Sequence, residues 1–254
     1  MNIVVLVKLV PDLVEELAID ASGVSLDPTY LRLIINESDD HAVEQGILLK
    51  ERGGATVSVV APDMEGIDDV LYAAAAKGVD RLIKLAGDFG DGVNNHALAR
   101  AAANVIRELQ PDLVLTGVQA TNDLDGSVGP LLAEYLGMPY VGYVAGVTLS
   151  GGKVVVHKEY PGGLIGEMAA TLPAVLGVQA AEQPPRYVAV SKVRQAMKTF
   201  SLEEQAVAEL DSSGSVAVSR MFQPEAAGRA TMLEGDAETV AVRLVEIFKE
   251  AGVL

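Results

Sequence analysis

The amino-acid sequence predicts an α/β fold built on a doubly wound, mostly parallel sheet. Short, continuous apolar runs recur along the first half of the chain, as expected for parallel strands that helices cover on both faces. Segments with helical periodicity lie between these runs. With 254 residues, half of them hydrophobic, the chain is long enough to bury one large core.

The predicted strands and helices alternate in order along the first half of the chain. The strands are 2–7, 55–61, 81–85 and 112–116, and the helices are 42–52, 66–77 and 95–109. After Gly137 the pattern changes, because Ser150-Gly151-Gly152 separates two apolar segments, 144–149 and 154–159, and so predicts a hairpin. A further buried strand is predicted at 174–178. We therefore expect antiparallel strands near the end of the sheet.

Beyond Pro184 the strand periodicity ends. Residues 198–223 are polar, and a helical pattern returns only at 238–249. Since a compact domain does not need connections of this length, we expect residues 1–183 to form the α/β domain. Residues 184–254 are expected to form a loop and a C-terminal arm, with a terminal helix, that wraps a partner.

Charge and composition exclude several classes of function. The net charge of -16 would repel nucleic acids and anionic lipid surfaces, so neither is expected as a partner. No apolar stretch is long enough to span a bilayer, and the first residues read as a strand, so a cytoplasmic location is expected. Because the chain has no cysteine, a redox role would require the chemistry of a cofactor.

Two segments could bind a nucleotide. Residues 117–130 follow a predicted buried strand and open a helix, so the backbone N–H groups of Ser127, Val128 and Gly129 would point at a phosphate. Residues 36–41 precede another helix at the carboxyl edge of the sheet, where open α/β folds bind ligands. Ordinary helix caps, by Ser127 or by Ser38 and Asp39, are the alternative interpretation. Neither G-x-G-x-x-G nor a P-loop pattern is present.

The sequence contains no set of residues that would serve as nucleophile, acid and base. The three histidines, His41, His96 and His157, show no metal-ligand spacing. We therefore expect neither catalysis nor a metal site in this chain.

Several segments, taken in order, resemble the β subunit of electron transfer flavoproteins. They are Val4 to Lys8, Asn36 before Ala42-Val43-Glu44, Gly78 to Arg81, Pro111 to Ala120, Gly162-Gly163-Leu164 with Leu172 to Val175, and Pro185-Arg186-Tyr187. The resemblance covers nearly the whole chain. It implies a flavodoxin-like, or adenine nucleotide alpha hydrolase-like, sheet in residues 1–183 that binds AMP as a structural ligand, while an alpha subunit mainly holds the redox FAD.

The resemblance also implies which residues line the AMP pocket. They are Leu6, Asn36, Glu37, Ser38, Asp39, Ala61, Pro62, Ala120, Thr121, Asn122, Asp123, Leu124, Asp125, Gly126, Ser127, Val128, Gly129, Pro130 and Leu131. The family usually has aspartate at the position of Asn122 and glutamine at that of Ser127. Because these differences change only side chains, the contacts of the backbone with the nucleotide are expected to be kept there. A carboxylate at Asp123 or Asp125 would disfavour a phosphate unless it faces the ribose, solvent or a cation.

The partners implied by the resemblance are the alpha subunit, flavin-dependent dehydrogenases and a quinone oxidoreductase. Val190, with Tyr187 and Arg186, falls in the family's partner-recognition segment, and Glu159 falls near the flavin. Three alternatives remain open: a bifurcating type that binds a second FAD instead of AMP, an ATP-using adenylyl-transfer enzyme, and a nucleotide-sensing module.

Overall fold

A computed structural model of the chain describes residues 1–90, 94–124, 126–207, 210–214, 216–224 and 230–254. The chain divides into two compact units, Met1–Arg220 and Met221–Leu254. The first unit contains the strands β1 (Asn2–Leu6), β2 (Leu9–Pro11), β3 (Leu33–Ile35), β4 (Thr56–Pro62), β5 (Arg81–Ala86), β6 (Leu113–Gly117), β7 (Tyr140–Ser150), β8 (Lys153–Tyr160), β9 (Leu164–Thr171), β10 (Ala174–Val178) and β11 (Leu202–Ala206). Its helices are α1 (Glu37–Gly53), α2 (Ile67–Lys77), α3 (Asn95–Glu108), α4 (Val128–Leu136) and α5 (Val190–Thr199).

Nine of these strands form one sheet in the order β11-β5-β4-β1-β6-β10-β7-β8-β9. From β11 to β7 the neighbouring strands are parallel, and β8 and β9 extend the sheet in antiparallel pairing. Strands β2 and β3 form a separate antiparallel pair. The predicted α/β fold, with a mostly parallel sheet and an antiparallel hairpin, is confirmed.

The core lies on both faces of the sheet. On one face Ile3 and Val5 of β1 belong to an apolar cluster with α1 and α2, and on the other face Val4 and Leu6 belong to a cluster with α3 and α4. Successive side chains of a strand point to opposite faces, so a strand covered on both faces must be apolar throughout. This burial explains the continuous apolar runs from which the central strands were predicted.

Two structural elements after Pro184 were not predicted. Helix α5 and strand β11 fill part of the segment expected to lack strands, and β11 pairs with β5 at the edge of the sheet. The strand reads as polar because ion pairs attach it: Glu203 lies 2.8 Å from Arg81, and Glu204 lies 3.3 Å from Lys84. Charged side chains at an edge strand also discourage pairing with other chains.

The second unit contains the predicted terminal helix, α6 (Ala237–Glu250). Its N-cap residue Asp236 accepts a hydrogen bond from the backbone N–H of Thr239 at 2.9 Å. None of its residues is buried, and Val242, Leu244, Val245 and Phe248 are exposed. No helix in the described part of the chain is both long and apolar enough to cross a membrane.

Candidate functional site

A cleft lies at the carboxyl ends of β1 and β6. The order of the strands reverses around β1, because β4 and β5 lie on one side of it and β6 lies on the other. Ligands of open α/β sheets bind at such a reversal point. About 270 Å³ of empty space lies in the cleft, including the part open to solvent, and its enclosed part has room for about one oxygen-sized group. The lining residues are Leu6, Val7, Lys8, Asn36, Asp39, Leu98, Thr116, Gly117, Gln119, Ala120, Asp123 and Val128.

The carboxylate of Asp39 joins the ends of the two strands. Its Oδ2 accepts a hydrogen bond from the backbone N–H of Lys8, and its Oδ1 accepts one from the N–H of Gly117, both at 2.9 Å. A Cβ atom at position 117 would lie 2.3 Å from Asp39 Oδ1, so only glycine allows this approach. Burial raises the pKa of Asp39 to about 6, against the opposing effect of these hydrogen bonds.

The start of α1 differs from the capping interpretation. Asn36, not Ser38 or Asp39, is the residue before the first helical turn, and its side chain makes no capping hydrogen bond. Instead, Asn36 Nδ2 donates to the carbonyl oxygen of Gln119 at 3.0 Å. The interpretation of Ser38 or Asp39 as an N-cap is therefore wrong, because both residues lie inside the helix. Asn36 and Asp39 together hold α1 against the segment that follows β6.

The loop after β6 is held by a buried ion pair. Lys8 Nζ donates to Asp123 Oδ1 at 2.7 Å, and the two side chains are 11% and 10% exposed. Asn95 Nδ2 donates to Asp123 Oδ1 at 2.7 Å and to the carbonyl oxygen of Gly126 at 2.6 Å. Asp123 Oδ2 also accepts from the N–H of Ala120 at 2.8 Å. Asp123 therefore faces a cation, which is one of the three arrangements that make it compatible with a nearby phosphate.

Helix α4 begins beside this loop. Ser127 precedes its first turn, but the Ser127 side chain makes no capping hydrogen bond. The first backbone N–H groups of a helix have no acceptor within the helix, so α4 presents donors here. The hydroxyl of Thr116 is buried, and a Cβ atom at Gly129 would lie 2.7 Å from its Oγ1. Thr116 Oγ1 thus lies directly against the first turn of α4.

The structure brings together only part of the expected pocket. Six of the expected residues line the cleft: Leu6, Asn36, Asp39, Ala120, Asp123 and Val128. Ten other expected residues are neighbours of these six in sequence but do not line the cleft: Glu37, Ser38, Thr121, Asn122, Leu124, Gly126, Ser127, Gly129, Pro130 and Leu131. Ala61 and Pro62 also do not line it, and they lie at the end of β4, the strand that pairs with β1. Asp125 lies outside the described residues.

Four lining residues were missed in the sequence: Val7, Lys8, Leu98 and Thr116. Gly117 and Gln119 lie in the segment 117–130 that was predicted to bind a nucleotide, although they are not among the expected pocket residues. Val7, Lys8 and Thr116 are at the end of β1 or β6, or just after it. The available signal was their position, because the carboxyl end of every central strand in such a sheet faces the ligand crevice.

The residues expected to meet partners lie apart from the cleft lining. Arg186 donates from its guanidinium group to Glu44, at 2.8 Å, and to Glu51, at 2.6 Å. These hydrogen bonds, first those to Glu51 and then those to Glu44, raise the pKa of Arg186. Tyr187 is 89% exposed, and Val190, the first residue of α5, is 62% exposed. Arg186 therefore attaches this segment to α1, and the next side chains face solvent.

Two further expectations concern exposed positions and metals. Glu159 is exposed on β8, opposite Ile165 of β9. Within the described ranges there is no group of three or more histidine, aspartate or glutamate side chains arranged to hold a metal ion.

Comparison with known proteins agrees with this architecture. A protein-family model described as the electron transfer flavoprotein domain matches residues 26–210. The electron transfer flavoprotein subunit beta of Methylophilus methylotrophus is 32% identical, with 98% of both chains covered. The proteins of the same name from Syntrophomonas wolfei and Bacillus subtilis are 32% and 26% identical, each with 98% of this chain covered. The chain therefore belongs to the electron transfer flavoprotein family, among its beta subunits.

Proposed function

We propose that this chain is the non-catalytic electron-carrier subunit of a heterodimer with an alpha subunit. In this proposal the cleft between β1 and β6 holds AMP as a permanent structural ligand, while the alpha subunit mainly holds the redox FAD. The heterodimer takes electrons from flavin dehydrogenases and delivers them to a quinone oxidoreductase. Support comes from the similarity to beta subunits along 98% of the chain.

The hydrogen-bond donors of the cleft carry the nucleotide part of the proposal. The Thr116 hydroxyl is buried without a partner, and the Ser127 side chain does not cap α4. The first N–H groups of α4 add further donors, and the positive end of the helix dipole favours an anion. Since a phosphate needs several such donors at one place, these residues fit the phosphate of a nucleotide.

The size of the cleft limits how a nucleotide is held. The enclosed part of the cleft has room for about one oxygen-sized group. A bound nucleotide therefore places one oxygen-sized group in the enclosed part of the cleft. The rest of the nucleotide lies in the open part or displaces the loop that Asp123 holds. Lys8 neutralises Asp123, so an incoming phosphate does not meet an unpaired carboxylate there.

The remaining residues position partners in this proposal. FAD, when it is bound in the heterodimer, supplies reversible storage of electrons. Glu159 of β8 is proposed to lie near the flavin. Tyr187 and Val190 are proposed to contact the dehydrogenase, since both are exposed directly after the segment that Arg186 fixes.

The experiment that tests the proposal is an inventory of nucleotides. The heterodimer is purified and denatured, and each released nucleotide is identified and counted by mass spectrometry. One AMP and one FAD per heterodimer would support the simple carrier. Two FAD without AMP would instead indicate the bifurcating type, and the release of neither would contradict the proposal. Turnover of ATP by the isolated chain would favour an adenylyl-transfer enzyme.

A further inference from the structure

The hydroxyl of Thr116 has no hydrogen-bond partner. The side chain is on the α4 side of the sheet, and the residue is 2% exposed. Within the described part of the chain, no other buried side-chain nitrogen or oxygen lacks a partner. Buried hydroxyls are almost always hydrogen-bonded, and leaving one unpaired costs about 1–3 kcal/mol. We therefore expect the hydroxyl to form a hydrogen bond with a bound molecule that is not part of the chain.

The surroundings of Thr116 indicate what that partner is. Oγ1 lies against Gly129 in the first turn of α4, where a Cβ atom would approach to 2.7 Å. The cleft, which Thr116 helps to line, has room for about one oxygen-sized group. The N-terminus of α4 favours an anionic oxygen at this place. Lys8 is already engaged by Asp123, and the Thr116 hydroxyl is a buried donor in the wall of the cleft that has no partner.

We propose that the Thr116 hydroxyl donates a hydrogen bond to a phosphate oxygen of the nucleotide, and so helps to set how long the nucleotide is retained. This inference rests on the proposed function, because it presupposes a nucleotide in the cleft. It adds a binding residue that lies inside a strand and outside the loop expected to form the phosphate site. A buried water molecule is the competing occupant, since it also satisfies a hydroxyl in a space of this size.

The test compares variants of Thr116 in the full-length chain, assembled with its alpha subunit. Thr116→Val keeps the shape of the side chain and removes the hydroxyl, while Thr116→Ser keeps the hydroxyl. AMP release into nucleotide-free buffer is followed by mass spectrometry. We expect T116V to release AMP about 10- to 100-fold faster than the wild type, as for the loss of a hydrogen bond to a charged group. T116S should stay close to the wild type.

Two controls separate binding from folding. Thr148→Val changes an exposed threonine of β7 and should leave AMP release unchanged. The nucleotide-free T116V heterodimer should be at least as stable as the nucleotide-free wild type, because an unpaired buried hydroxyl has been removed. If T116V does not assemble, Thr116→Ala and Thr116→Ser carry the same comparison, with slow release expected only where the hydroxyl is present.

The outcomes distinguish this inference from the proposed function. AMP in the wild type, with equal release rates from T116V and T116S, would overturn the role of Thr116 and indicate a bound water. A wild-type heterodimer without any nucleotide would overturn both proposals.

Discussion

The carboxyl group of Asp39 is buried between two backbone N–H groups, and its protonation is linked to folding. Its pKa is about 6 in the folded chain, against 3.8 for the ordinary group. The folded chain therefore binds the proton more tightly than the unfolded chain does. The resulting stabilisation is fully present below about pH 3.8 and is lost as the pH rises through about 6.

We predict that Asp39→Asn removes this pH dependence. The free energy of unfolding is measured with urea from pH 4 to pH 7 for both proteins. The difference between wild type and variant should grow in favour of the wild type as the pH falls through about 6, since only the wild type gains a proton at this site. A difference that stays constant over this range would show that Asp39 keeps an ordinary pKa in the folded chain.

A second residue-scale prediction concerns Arg186. Replacing it with alanine leaves Glu44, whose side chain is 2% exposed, without its cation. Removing one partner of a buried pair typically costs about 3–5 kcal/mol, and since the Arg186 side chain is 31% exposed we expect the lower end of that range. The measurement is the urea midpoint of unfolding.

Arg81→Ala is the matched control for Arg186→Ala. Arg81 pairs with Glu203 through two hydrogen bonds, but the side chains are 43% and 36% exposed. The loss of this pair should cost no more than about 1 kcal/mol. Equal losses from the two variants would contradict the assignment of Arg186 as a buried attachment point.

Single residues of the site could be predicted from sequence only where they stand next to a predicted helix or strand end at the carboxyl edge of the sheet. Asn36 and Asp39 were identified because they precede a helix at the carboxyl edge of the sheet. In the sequence Thr116 is one more residue of a predicted buried strand, because no sequence pattern shows that a hydroxyl lacks a partner. In the sequence Lys8 is only the residue that follows the first predicted strand, because its partner Asp123 is more than a hundred residues away.

The packing of α1 against the end of β6 depends on a glycine. At Gly117 a Cβ atom would lie 2.3 Å from Asp39 Oδ1 and 2.8 Å from Ser38 Cβ. We predict that Gly117→Ala lowers the free energy of unfolding by about 1–3 kcal/mol, because helix and strand must move apart. The measurement is urea unfolding of both proteins.

Gly53→Ala is the comparison for Gly117→Ala. Gly53 ends α1, and apart from its chain neighbours and the backbone of its own helix no described atom lies within 4 Å of the position that its Cβ would take. Alanine has a higher helix propensity, so this change should be neutral or stabilising by up to about 1 kcal/mol. A destabilised Gly53→Ala would mean that the loss at position 117 does not come from the close approach of Asp39.

Elements were predictable from sequence in proportion to their burial. Strands β1, β4, β5, β6 and β10 are buried on both faces and read as apolar runs. Strand β9 is exposed on both faces, and β11 is polar, so neither gives the alternation of a half-buried strand. Helix α1 begins at Glu37, five residues before its apolar pattern, because acidic residues suit a first turn.

At the scale of the whole molecule, the two compact units can be separated by truncation. Met1–Arg220 contains the entire nine-stranded sheet and both apolar clusters. We predict that a chain ending at Arg220 still unfolds in one cooperative transition, measured by circular dichroism. It should lose association with the alpha subunit, measured by co-purification, since the removed residues belong to the C-terminal arm, within residues 184–254, that is expected to wrap a partner.

Substitutions in α6 test the same proposal in the full-length chain. Val242 and Phe248 are exposed apolar residues of this helix. Changing both to serine should weaken co-purification with the alpha subunit and leave the unfolding transition in place. Full retention of the alpha subunit by the truncated chain would contradict the wrapping role of this unit.

The position of β11 has a consequence for synthesis of the chain on the ribosome. Strand β5 ends at Ala86, but β11, which pairs with its outer edge, ends only at Ala206. At roughly 5–20 residues per second, the growing chain carries that open edge for roughly 6–24 s. An open strand edge is a template for pairing with another nascent chain. The yield of folded protein should therefore fall when a higher expression level brings more nascent chains together, even where the finished protein is stable.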